Sequence, residues 1–241
     1  MKQDWQSYLF FYHAMISEQP GTITRIASGC TEENKEKLAE LFDQMIASMT
    51  ALPGRFRIHF TPDYSNQKEG ADYKYWNKPF GTKHWMEHVL GFPHHPQNKD
   101  AIVILMDPDQ VIQRPFVNND FSDTNWIDLE PHQVPRTYVD HGKPAGQLYG
   151  FGLDWKRQAF VERILRGKPS PLTNLTDKEA SLGYVVGPPY IATASDMYNI
   201  VTTWSEFAVP VYEEYPDLLA EMYAYCLAAA HLRLPHQTAI R

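Results

Sequence analysis

Apolar residues recur at Trp5, Tyr8, Leu9, Tyr12, Met15 and Ile16, a helical spacing, and Asp4 stands where an N-cap is needed. Pro20-Gly21 marks a turn, and residues 22–27 alternate like a strand. A second helix follows from about Thr31. Its stripe is Leu38, Leu41, Phe42, Met45, Ile46 and Met49, a clean 3.6-residue period. Arg57 to Phe60 predicts a short strand, and the polar, turn-rich residues 61–77 predict a loop. Thr82 is placed to cap a helix carrying Trp85, Met86 and Val89, which ends at Gly91.

Ala101 to Met106 is a continuous apolar run and predicts a central buried strand. Residues 116–142 read as a loop, and Pro144 opens a short apolar stretch broken by glycines. Asp154 to Leu165 predicts a helix, and residues 167–190, rich in Pro, Gly and hydroxyl residues, a long functional loop. Ser195 is placed to cap a helix with Met197, Ile200, Val201, Trp204 and Phe207 inward. Pro216 suits the first turn of a last helix striped by Leu219, Met222, Tyr223, Cys226, Leu227 and Ala230. Strands alternating with helices predict an α/β domain with a mainly parallel sheet, one domain over residues 1–241.

Composition narrows the classes. The net charge is -7 and no basic stretch is clustered, which argues against a nucleic-acid partner. No apolar run reaches the roughly 20 residues of a membrane span, and the opening residues lack a signal peptide's apolar core. Cys30 and Cys226 are too few for a zinc ribbon or a disulfide scaffold and are expected as buried free thiols.

The chemistry centres on Asp107-Pro108-Asp109, directly after the apolar strand. Ligands of open α/β sheets gather beyond the carboxyl ends of strands, and two carboxylates there suit Mg²⁺ or Mn²⁺ holding a diphosphate. Such a metal neutralises a diphosphate leaving group. A solvated turn with capping aspartates is the plain alternative. Asn77 and Lys78 at a helix entrance can hold a phosphate or a sugar hydroxyl, although their spacing alone fits ordinary turn chemistry. Glu221 shares a helix face with Ala224, Tyr225 and Ala228. It can line a sugar pocket, and by spacing alone it is a surface glutamate. His84 and His88 lie four apart, yet no HExxH motif or Cys/His pairing supports a zinc hydrolase. Asn174-Leu175-Thr176 is an N-glycosylation acceptor triplet.

Several blocks occur together in order: Trp5-Gln6, Gly21 to Ile26, Tyr75 to Pro79, the strand ending in Asp107-Pro108-Asp109, Gln147 to Gly152, Gly187 to Ile191, Leu218 to His231 and Leu234-Pro235-His236. Over almost the whole chain they resemble the superfamily of peptidyl serine α-galactosyltransferases and hydroxyproline O-arabinosyltransferases, closer to the serine branch. The resemblance implies a GT-A-like nucleotide-diphosphosugar transferase fold, a UDP-sugar donor, a divalent metal (Mn²⁺, or Mg²⁺) and retention of anomeric configuration. It implies a serine acceptor in hydroxyproline-rich glycoproteins such as extensins, and a Golgi or secretory-lumen setting.

Carried over residue by residue, Asp107 and Asp109 would bind metal and diphosphate, and Asn77 and Lys78 would lie near the donor. Glu221 would face the reaction centre, and His236 would be a further metal ligand. Chains of that family carry a strand before the Trp-Gln helix. Here the first strand and the membrane anchor are missing, so the resemblance implies a fragment of a longer chain. Arabinose transfer to hydroxyproline, and a non-catalytic remnant that binds a sugar or a partner protein, are the competing readings.

Overall fold

The computed structural model describes residues 2–118, 136 and 138–239. They fall into two compact units, one of Met1–Tyr64 with Met106–Val117, the other of Ser65–Leu105 with Asn118–Arg241. Most of the loop expected at 116–142 lies outside the described residues.

The first unit holds α1 (Lys2–Ile16), β1 (Ile23–Ser28), α2 (Glu32–Met45) and β2 (Phe56–Thr61). β1 and β2 pair in parallel, Ile23 opposite Phe56 and Ser28 opposite Thr61. Thr31 caps α2 by accepting from the Asn34 N–H at 3.3 Å. The small core is Phe11, Phe42, Ile46 and Phe56, with the Phe11 ring edge-on to Phe42 and Phe56. The expected stripe of α1 is therefore displaced. Phe11 and Ala14 face inward, while Trp5, Tyr8, Leu9, Tyr12 and Ile16 are exposed. On α2 only Phe42 and Ile46 of the predicted stripe are buried, and Leu41 and Met45 are exposed.

The second unit holds α3 (Asn77–His88), β3 (Ile102–Leu105), β4 (Ala145–Leu148), α4 (Gln158–Leu165), α5 (Asp177–Gly183), β5 (Val186–Thr193), α6 (Ala194–Glu214), α7 (Ala220–His231) and β6 (Gln237–Ala239). Its sheet runs β3-β5-β4-β6. β5 is antiparallel to both β3 and β4, and only β4 with β6 is parallel. The mainly parallel sheet expected from the element order is thus corrected to a small mixed one. β3, expected at its centre, is an edge strand, and β5 is interior.

The stretch predicted as loop at 167–190 is corrected: it contains α5 and the start of β5, and for the strand its prolines explain the difference. Gly146 pairs with Tyr190 and Gln147 with Gly187, so Pro188 and Pro189 fall in a bulge between partners. On the other side the β3 ladder stops at Tyr190. Neither proline stands opposite a register partner that calls for the N–H it lacks, which removes the usual objection to proline in an interior strand.

α6 and α7 pack on this sheet around a core that includes Trp76, Tyr190, Met197, Ile200, Trp204, Tyr225 and Leu227. Ten of the twelve residues of α7 are buried, so it has no polar face. The α7 start at Ala220 lies four residues beyond Pro216, which precedes the helix rather than opening it. α3 starts five residues before Thr82, whose buried hydroxyl donates back to the Lys78 carbonyl at 2.7 Å. The α6 cap is Thr193, not Ser195, and accepts from the Asp196 N–H at 3.3 Å. Among the described residues no helix is long and apolar enough to cross a membrane.

Candidate functional site

Two helix first turns meet in the second unit. α3 begins with Asn77-Lys78-Pro79, proline being tolerated there because the first N–H groups of a helix have no intrahelical partner. α7 begins with Ala220-Glu221, where the helix dipole favours a carboxylate. Lys78 Nζ lies 3.3 Å from Glu221 Oε2. The Glu221 side chain is 3% exposed and that of Lys78 19%. Glu221, which spacing alone places on the surface, is therefore a buried carboxylate facing an ammonium. Asn77 is half-buried, and its N–H donates to the Lys74 and Tyr75 carbonyls.

Two aromatic residues hold Glu221 by its backbone. The Glu221 N–H donates to the Tyr73 hydroxyl at 3.2 Å, and that hydroxyl donates to the Leu218 carbonyl at 3.0 Å. Tyr73 thereby serves a helix N-terminus that lacks a side-chain cap. Trp204 Nε1, on α6, donates to the Glu221 carbonyl at 2.8 Å. Burial pushes the Tyr73 phenol well up, so it stays a donor throughout the working range. The sequence offered no signal for Tyr73, which stands in a stretch without periodicity, and Trp204 looked like plain core.

His236, expected as a metal ligand, has a different setting. It is 3% exposed, and its Nε2 lies 2.9 Å from the Tyr225 hydroxyl. Burial holds Tyr225 well above the usual phenol value, so Tyr225 donates and Nε2 accepts. The proton then belongs on Nδ1, which faces the Leu234 carbonyl without a well-formed hydrogen bond. Burial lowers the imidazole to about 3. The Nε2 lone pair is engaged, and His236 works as a neutral strut. Tyr225 is itself stacked on Tyr190, ring centroids 3.6 Å apart, and edge-on to Trp204 at 5.0 Å. Glu221 and Tyr225 are one turn apart on α7, so the His236 contact fixes the helix just beyond the carboxylate.

Asp107 and Asp109 belong to the first unit. Their turn is closed from both sides. The Gln110 N–H donates to the Asp107 carbonyl at 3.1 Å, and the Asp107 N–H donates to Gln110 Oε1 at 2.9 Å. Asp107 is half-buried and Asp109 exposed. Two carboxylates on a braced turn fit a hard divalent cation that keeps positions for phosphate oxygen and water. No three His, Cys, Asp or Glu side chains converge as a metal-ligand set among the described residues. His84 and His88 stack on one another at 3.8 Å, and His88 Nδ1 donates to the His84 carbonyl at 2.8 Å. Both cysteines are free, Cys226 buried and Cys30 only half-buried.

Comparison with known proteins bears on the reaction class. A peptidyl serine alpha-galactosyltransferase of Arabidopsis thaliana is 25% identical over 97% of this chain. One of Chlamydomonas reinhardtii is 29% identical over 48% of it. The chain is similar to the peptidyl serine alpha-galactosyltransferases. It spans about a quarter of the length of the first relative and 13% of the second. No family model matches, and no solved structure matches. The resemblance read from the sequence blocks is thus shared by the curated relatives, which are glycosyltransferases by name. The fold shown here is mixed α/β with a small sheet.

Proposed function

We propose that this chain forms a glycosyltransferase domain that moves a sugar from a UDP-sugar to a peptidyl serine, with galactose as the sugar and its anomeric configuration retained. The observation that carries the reading is the buried Lys78–Glu221 pair, which brings together segments 143 residues apart in the chain. A carboxylate in the core with a half-buried ammonium against it is costly to keep there and is a signature of built sites. Similarity to two galactosyltransferases supplies the reaction class.

In this reading Asp107 and Asp109 would hold a divalent cation, which would supply positive charge to neutralise a diphosphate leaving group. Within the second unit, Lys78 orients an anionic or hydroxyl group of a sugar substrate, and Asn77 offers an amide at the same helix entrance. Glu221 sets the acceptor hydroxyl, or the positive charge that develops at the anomeric carbon. Tyr73 and Trp204 keep its backbone still. The GT-A-like architecture, the Golgi setting and the hydroxyproline-rich acceptor belong to this proposal too.

The test is calorimetry of UDP binding to the purified chain, with and without Mn²⁺, beside Asp109→Ala. Metal-dependent binding that the substitution abolishes supports the donor site. A panel of UDP-galactose and UDP-arabinose against serine and hydroxyproline peptides then fixes donor and acceptor. An intact chain that ignores UDP in the presence of Mn²⁺ overturns the reading.

A further inference from the structure

Asn174-Leu175-Thr176 takes no part in the site described above, and it is the one Asn-x-Ser/Thr triplet in the chain. Asn174 ends a short 3-10 turn, Pro171–Asn174, that starts on a Ser170 cap and is pinned by buried Leu172. The chain then runs extended through Leu175, φ -71° and ψ 120°, into Thr176. Asn174 and Thr176 are both exposed, and buried Leu172 turns away from them. The asparagine is thus presented at an exposed turn end, on the edge of an open cleft it shares with Lys168 and Arg233, followed by an extended residue and an accessible hydroxyl.

Thr176 has a second duty. It is the N-cap of α5, in a capping box with Glu179. The Glu179 N–H donates to Thr176 Oγ1 at 3.2 Å, and Thr176 donates to Glu179 Oε2 at 2.7 Å. The native fold therefore needs a hydroxyl at 176 for its own reasons, and an amide at 174 for none that it shows. Ser would serve the cap as well as Thr.

We infer that Asn174 is an N-linked glycosylation site of this protein, taking an oligosaccharide from a polyprenyl diphosphate carrier. This rests on the secretory setting proposed above. In the transfer, Asn174 Nδ2 bonds to the anomeric carbon, the bond from that carbon to the carrier diphosphate breaks, and one amide proton is released. The product places a bulky polar group at an exposed turn, where it displaces no buried contact.

The experiment expresses the full chain behind a secretory leader in a eukaryotic host and follows its mass before and after peptide:N-glycosidase treatment. The expected result is a single glycan, with Asn174 converted to aspartate on release. Asn174→Gln and Thr176→Ala should lose it, and Thr176→Ser should keep it. Glu179→Ala cuts the capping box and leaves the triplet, so it too should keep the glycan. A secreted chain with an unmodified Asn174 overturns the inference. Protease protection of the untagged natural protein in membrane vesicles separates the two failures. A protected chain without glycan sinks the Asn174 site, whereas an unprotected one sinks the secretory setting.

Discussion

Lys78 Nζ and Glu221 Oε2 face each other at 3.3 Å, one from the first turn of α3 and the other from the first turn of α7. Removing one partner of a buried pair strands the other. Lys78→Ala should therefore cost about 3 kcal/mol, the low end for such a loss, because the lysine retains some solvent. Replacing both, as Lys78→Met with Glu221→Leu, should recover most of the stability while leaving no transferase activity. Urea denaturation of the two singles and the double reads the coupling. Additive losses would remove the pair from the account.

Tyr73→Phe deletes one hydroxyl that accepts from the Glu221 N–H and donates to the Leu218 carbonyl. The ring keeps its packing against Trp76 and Tyr212. The expected loss is about 1–3 kcal/mol from two buried backbone groups left without their partner. Turnover should fall more than donor affinity, since the carboxylate is displaced and the Asp107–Asp109 turn is untouched. A fall in both alike would count against this positioning role.

His236 gives a pH dependence of definite sign. Folded, the imidazole stays neutral down to about 3; unfolded, it titrates near 6.5. Between those values the unfolded chain binds a proton that the folded chain does not, so stability falls as pH falls. From pH 7 to pH 5 this one group should cost about 2 kcal/mol. His141 works in the opposite sense. Asp100 Oδ1, 2.6 Å from its Nε2, raises it, so its contribution is full below 6.5 and fades as pH rises through its raised value. It is half-exposed, and its effect is small. His236→Gln isolates the first effect. Urea curves at both pH values should show a shallower slope in the variant, and equal slopes would refute the assignment.

Gly187 is held to glycine by Tyr149. A Cβ there would overlap the tyrosine ring, which lies over the strand at the bulge. Gly187→Ala should cost about 1–3 kcal/mol by overpacking. In a Tyr149→Ala background most of that cost should vanish, as a thermal-melt double-mutant cycle would show.

Most helix positions were legible in the sequence because the 3.6-residue period is local; α5, seven residues inside the stretch read as a loop, is too short to show that period and was missed, and which face a helix buries was less legible. α1 carries apolar residues nearly all round, and only the contact of Phe11 with Phe42 and Phe56 selects its inner side. β5 was hidden by Pro188 and Pro189, whose tolerance depends on a register shift in a strand about 40 residues away. Asn77, Lys78 and Glu221 came from family blocks, not from spacing. Their convergence is a tertiary fact that neither the helix period nor the turn signals encode. Tyr73 and Trp204 act through hydroxyl and indole groups on backbone atoms, contacts with no sequence pattern at all. His236 was read as a ligand only through the family resemblance, and its burial beside Tyr225 became visible only in the fold.

The enclosure of α7 has a consequence for time as well as energy. Five alanines, Ala220, Ala224 and Ala228 to Ala230, let the helix be packed on all sides, so its amides reach solvent only when the surrounding unit opens. They should be among the slowest in the protein to exchange in heavy water. A carboxylate carried on such a helix is already in place when a substrate arrives, and association there spends little on ordering it.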